Sequence, residues 1–160
     1  MLKKITMEMI KYFNKDVIRI NHALKVHSFC STISNLEQLS EKEQLIVNLS
    51  GILHDIGIKE AERKYNSSAG PYQEQEGPAI AKQIIEKYTL DKEILERVCY
   101  IVGHHHSYSK IDGKDFQILV EADFLVNIYE DEIGKAEVAG IRSKYFKTQS
   151  GLEILQYMYQ

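Results

Sequence analysis

His54 and Asp55 stand side by side at the end of an apolar segment and are followed at once by Ile56-Gly57. The pair sets a neutral nitrogen donor against a hard carboxylate, and one divalent cation can take both. A lone His-Asp dipeptide is common, but this one has company in His22, the triplet His104-His105-His106, and Asp123. Asp123 has Leu119, Val120 and Val126 about one helical turn away, so its carboxylate points where an unpaired charge would be costly. Buried charges are usually paired or bound to metal. A mixed imidazole and carboxylate set suits manganese, iron, cobalt, nickel or zinc, and is too rich in nitrogen for a dedicated calcium site.

The segments that must position these residues read as helices. From Asp16 to about Glu37, apolar residues recur at Val17, Ile20 and Leu24 and again at Ile18, Val26, Phe29 and Ile33, which describes a helix buried on more than one side. His22 lies in the second stripe. Ser40-Glu41-Lys42-Glu43 has the capping-box pattern and starts a helix whose Ile46, Leu49, Leu53 and Ile56 run into the His-Asp pair, with Gly57 ending it. Residues 60 to 77 are polar and read as a loop, and Gly77-Pro78 then opens a helix with Ile80, Ile84 and Tyr88 facing inward. Asp91 caps the next helix, which reaches the triplet. Its periodicity places His105 behind Ile94, Val98 and Ile101 and His106 behind Leu95, Cys99 and Val102, so both face inward, whereas His104 follows Arg97 and Tyr100 toward solvent. Residues 107 to 114 read as a turn, Asp115 begins an apolar helix through about Tyr129, and two short helices broken near Gly151 complete the chain. Nothing alternates with period two for long. The expected fold is all-α, a compact multi-helix bundle with a buried metal site.

Composition bounds the rest. With 160 residues, 44% of them hydrophobic, and a net charge of -3, the chain suits one globular domain, residues 1 to 160. No apolar run approaches the roughly 18 to 20 residues that span a bilayer, and the N-terminus lacks a signal-peptide core, so a cytoplasmic protein without a membrane partner is expected. Cys30 and Cys99 sit inside helical patterns and read as small buried hydrophobes. Mild acidity argues against a nucleic-acid polymer as partner and leaves a small anionic substrate compatible.

The order His22, His54-Asp55, His105-His106, Asp123, in the contexts INHALKV, GILHDIG and ILVEADFLVN, resembles the HD-domain superfamily of metal-dependent phosphohydrolases. The resemblance covers about residues 18 to 130, leaving 131 to 160 as a helical extension of an HD-type domain. It implies a core metal site of His22, His54, Asp55 and Asp123, with Asp55 bridging two ions where a second is present. His105 and His106 match the second site of members that hold two ions. In those members another histidine usually precedes the helix corresponding to Ile80–Tyr88, but here that stretch reads YQEQEGPAIA. Glu76 is the oxygen donor that would stand in, although an acid near a helix N-terminus is favourable without any metal. One or two divalent transition ions are therefore implied as cofactor.

A bound ion lowers the pKa of its water to about 7 in favourable cases and offsets charge on a phosphoryl oxygen. The implied activity is hydrolysis of a small phosphate ester, most plausibly a nucleotide, by a metal-activated water. Asp55 would bind metal and orient that water, while His105 or His106 binds a second ion or hydrogen-bonds the phosphate. Arg19, one turn before His22, together with Lys59 and Lys110, are candidates to hold phosphate oxygens. His27 faces the Ile20 and Leu24 side and is assigned to packing. The alternative function is a metal-containing ligand-sensing or interaction module without turnover. Oxygen activation at a di-iron centre is a third reading and needs a complete second site. Leu152, Leu155, Tyr157 and Tyr159 give the C-terminal segment a face that would pack on the core or on a second copy in a homodimer.

Overall fold

The computed structural model describes residues 1–160 as nine α-helices and one 3-10 turn, with no strand. Helices α2 (Val17–Leu36) and α3 (Glu41–Leu53) pack on one another and on α7 (Lys114–Glu130), and α6 (Lys92–Val102) lies against α3. Around them, α1 (Leu2–Phe13) lies on α2 and α3, while α4 (Ile58–Tyr65) pairs with α5 (Gly70–Ile85), which packs on α6. Helices α8 (Lys135–Tyr145) and α9 (Gln149–Tyr159) cover α7. No helix is long and apolar enough to cross a membrane.

Local chemistry sets the starts of the site-bearing helices. The Asp16 carboxylate accepts from Arg19 N and caps α2, and Ser40 with Glu43 forms a reciprocal capping box on α3. Beyond the first turns of α3, neither α3 nor α7 keeps a broad face open to solvent. Every residue of α3 from Ile46 to Leu53 is buried, and α7 buries Phe116, Ile118, Leu119, Val120, Ala122, Leu125, Val126 and Ile128. These are central helices enclosed by their neighbours, and burial of their apolar surface is the main force fixing them.

Several expectations need correction. The polar stretch 60 to 77 is two helices rather than a loop. Helix α4 buries only Ile58 and Ala61 and is otherwise charged, with Glu60 paired to Arg63 and Lys64 along its outer face, so its stripe is too narrow to register as a periodicity. Helix α5 starts eight residues before Pro78, with Pro71 in its first turn, and Pro78 lies inside it. Gly57 has ordinary helical φ and is placed by close contact: a Cβ there would lie 2.4 Å from the Gln73 carbonyl and 2.7 Å from Gly77 N, where α4 and α5 cross. Ile18 belongs to no buried stripe and is 77% exposed.

Gly151 breaks nothing and lies in the first turn of α9. A Cβ there would come within 2.0 Å of Glu121 Oε2. Glu121, fully buried on α7, accepts from Lys147 N, Thr148 N and Gln117 Nε2 at Oε1 and from Thr148 Oγ1 at Oε2. Burial raises its pKa against the pull of those donors. This carboxylate fixes the start of α9, and Gly151 lets the helix approach it.

Candidate metal centre

Four elements deliver the polar residues to one buried region. His22 comes from the interior of α2, His54 and Asp55 from the turn that ends α3, His105 and His106 from the turn after α6, and Asp123 from the middle of α7. His22 Nε2 lies 3.2 Å from His54 Nε2, 3.2 Å from Asp123 Oδ1 and 3.4 Å from Asp55 Oδ2. His54 Nε2 lies 3.4 Å from Asp55 Oδ2 and 3.6 Å from Asp123 Oδ1. The other oxygen, Asp55 Oδ1, faces His105 Nε2 at 3.4 Å. Asp55 therefore stands between two sets of potential ligands: His22, His54 and Asp123 on one side, His105 and His106 on the other.

The outer nitrogens decide what the inner ones offer. His54 Nδ1 lies 3.0 Å from the Gly51 carbonyl and His105 Nδ1 lies 2.8 Å from the Val102 carbonyl. A carbonyl only accepts, so both Nδ1 atoms carry hydrogen. His22 Nδ1 lies 2.7 Å from Glu130 Oε2 and donates to that carboxylate. In the neutral rings, all three Nε2 atoms then present lone pairs: those of His22 and His54 face each other and both aspartates, and that of His105 faces Asp55. His105 Nε2 and Asp123 Oδ1 are buried without any hydrogen-bond partner. A buried region lined only by acceptors requires a cation, supplied either by protons on the imidazoles or by a metal. The donor set of imidazole nitrogens and carboxylate oxygens fits a divalent transition ion.

The electrostatics agree. Burial alone would lower the pKa of His54, but Asp55 and Asp123 overcome it and hold it well above the ordinary value of 6.5. His22 is likewise raised, burial being outweighed chiefly by Asp123. Burial pushes the two aspartates upward, yet His54 and His105 beside Asp55, and His22 and His54 beside Asp123, hold both below the usual carboxylate range. His106 is lowered to about 4, first by burial and then by His105, and is neutral at physiological pH.

The remaining candidates divide. His104 Nδ1 lies 2.7 Å from the Tyr100 carbonyl and its ring packs on Tyr100, outside the cluster. Glu76 is not brought to the cluster: its carboxylate accepts from Lys64 at 2.7 Å and Tyr65 at 2.9 Å. Arg19 is held by Asp16 and Glu62, and Lys59 donates to the Tyr12 carbonyl. Neither pairs with Asp123. Lys110 is exposed and ends the short turn Tyr108–Lys110 just after the triplet.

Three contacts had no readable signal. Gln73, buried on α5, donates through Nε2 to the Ser68 carbonyl, which turns Oε1 toward His106 Nε2 at 3.3 Å. His106 Nε2 therefore carries hydrogen. Glu74 accepts from His106 N and Ser107 Oγ and ties the triplet to α5. Glu130 is separated from His22 by 108 residues. Local periodicity carries no information on such pairs.

A bundle of this topology, with histidines and aspartates from four elements meeting at one buried point, defines a helical domain with a candidate metal site. The HD domain family model matches residues 19–141. The chain belongs to the HD domain family, a superfamily of metal-dependent hydrolases that bind divalent ions. The fold is similar to that of a predicted HD superfamily hydrolase from an uncultured Thermotogales bacterium, known from a crystal structure, with a TM-score of 0.71 and 20% identity over 98% of this chain and 84% of that chain. No curated protein matches the chain significantly.

Proposed function

We propose that the protein hydrolyses a small phosphate ester of the nucleotide class at a centre built on His22, His54, Asp55 and Asp123. The observation that carries this reading is the convergence of three imidazole Nε2 lone pairs and two carboxylates, with each outer nitrogen already committed to an acceptor. A divalent ion held by these residues supplies a Lewis acid for a phosphoryl oxygen and acidifies water. His22, His54 and Asp123 would hold that ion together with Asp55, whose Oδ2 faces His22 and His54 while Oδ1 faces His105, a placement that suits Asp55 to orient water between the two sets.

His105, with Nδ1–H on the Val102 carbonyl, has a free Nε2 that accepts a proton or ligates a second ion. His106 spends Nε2–H on Gln73 and, being neutral, adds no charge. Arg19 and Lys59 are engaged with protein partners, so Lys110 is the favoured phosphate contact of the three. Tyr108, two residues after His106, and Phe124, which follows Asp123, form an aromatic cluster with Tyr145, and Tyr108 is raised to about 12 by burial and then by Asp123. Aromatic rings carried on the same segments as His106 and Asp123 are the groups that would stack on the planar base of such a substrate.

The test is a panel of nucleotides and other phosphate esters screened with manganese, iron, cobalt, nickel and zinc, using Asp55→Ala as the blank. Metal-dependent release of phosphate or nucleoside by the wild type alone is the expected result. No turnover across the panel would overturn hydrolysis in favour of a sensing module.

A further inference from the structure

Two of the three histidines presenting Nε2 are oriented by carbonyls three residues earlier, Gly51 for His54 and Val102 for His105. Both lie at helix ends, where the last carbonyls have no partner inside the helix and are free to accept. His22 has no such option. It is the sixth residue of the twenty-residue α2, where carbonyls are consumed by the helix itself. Its acceptor comes instead from the facing helix: Glu130 Oε2 at 2.7 Å, with the other oxygen of Glu130 held by Lys25 Nζ at 2.5 Å.

The register makes this a built arrangement. Asp123 and Glu130 are seven residues apart on α7, two turns along one face, and His22 and Lys25 are one turn apart on α2. The His22 ring spans them, with Nε2 at 3.2 Å from Asp123 Oδ1 and Nδ1 on Glu130. Glu130 is also the last residue of α7, where the helix dipole disfavours an acid. Its place there is satisfied by His22 and Lys25 rather than by its own helix.

We infer that Glu130 is the positioning residue of the metal centre. Its carboxylate holds the Nδ1–H tautomer and ring orientation of His22, so that Nε2 is presented to the ion, and Lys25 holds the carboxylate in place. Carboxylates that accept from a ligating imidazole raise its basicity as well as fixing its direction. The inference rests on the metal-centre reading above but not on the reaction.

The experiment titrates the metal-free chain with Co2+, followed by visible absorption and calorimetry, for wild type, Glu130→Ala, Glu130→Gln and Lys25→Met, with the thermal midpoint of each metal-free form recorded alongside. Glu130→Ala should weaken Co2+ binding by about 10- to 100-fold. Glu130→Gln, whose amide oxygen still accepts from Nδ1–H, should recover part of that loss and decides the matter if the alanine variant does not fold. Lys25→Met should lose less than Glu130→Ala. A lowered thermal midpoint with Co2+ affinity within about twofold of wild type would mean a merely structural role and overturn the inference. A wild type that takes up no Co2+ would overturn the metal-centre reading and this inference together, whereas Co2+ uptake with the expected order of variants but no phosphate-ester turnover would leave the inference standing and overturn only the activity.

Discussion

His22 and His54 meet nitrogen to nitrogen, Nε2 to Nε2 at 3.2 Å, and each donates its Nδ1–H elsewhere, His22 to Glu130 and His54 to the Gly51 carbonyl. Two neutral imidazoles so arranged direct lone pairs at each other. The contact is tolerable only around a cation, and the Asp55 and Asp123 carboxylates face the same point.

Removing either half of the dipeptide should therefore empty the centre without unfolding the bundle. Asp55→Ala and His54→Ala are expected to lose bound transition metal, by elemental analysis of the purified chain, while far-ultraviolet circular dichroism stays helical. Wild-type metal content in either variant would show that the pair is not the anchor.

The triplet should respond unequally. His105 is buried with its Nε2 3.4 Å from Asp55, whereas His104 packs on Tyr100 and bonds that residue's carbonyl. His105→Ala should cost about tenfold or more in turnover or metal affinity, and His104→Ala less than about twofold. Equal losses would contradict this placement.

Protons and metal compete for the same nitrogens. In the metal-free chain, His22 and His54 have folded pKa values raised above 6.5, so their contribution to stability is complete below that value and is lost as pH rises through the raised values. Asp55 and Asp123 are lowered below 3.8, so theirs is present above that value and lost as pH falls through the lowered ones. Added metal should consequently raise the thermal midpoint more at about pH 8 than at about pH 6, because at the lower pH protons already occupy the imidazoles. Scanning fluorimetry with and without zinc reads this directly, and an equal or reversed increment would count against it.

Much of this was readable from the chain because burial imposes helical periodicity on every segment that carries a ligand. The order of His22, His54-Asp55, His105-His106 and Asp123 also follows from residue type and apolar context alone. What stayed hidden depends on tertiary contact. Helix α4 shows the core only Ile58 and Ala61, Gln73 sits inside a polar stretch, and Glu130 gains meaning only when α7 docks on α2. Glu76 is suitable by type, yet Lys64 and Tyr65 hold its carboxylate.

The glycines separate close packing from propensity. Gly151→Ala would drive a Cβ to within 2.0 Å of Glu121 Oε2 and should cost about 1 to 3 kcal/mol, a fall of several degrees in Tm. Gly140→Ala, exposed within α8 with nothing within 4 Å of the new Cβ, should instead stabilise by about 0.5 to 1 kcal/mol. Calorimetry of both variants checks the sign of each change.

The most direct test of the centre is an anomalous-difference map from crystals grown with manganese. The expected result is a peak bonded to His22 Nε2, His54 Nε2, Asp55 and Asp123, at about 2.0 to 2.3 Å from the donors. A map with no peak among these four residues, or with manganese bound only elsewhere, would contradict a metal centre at this position.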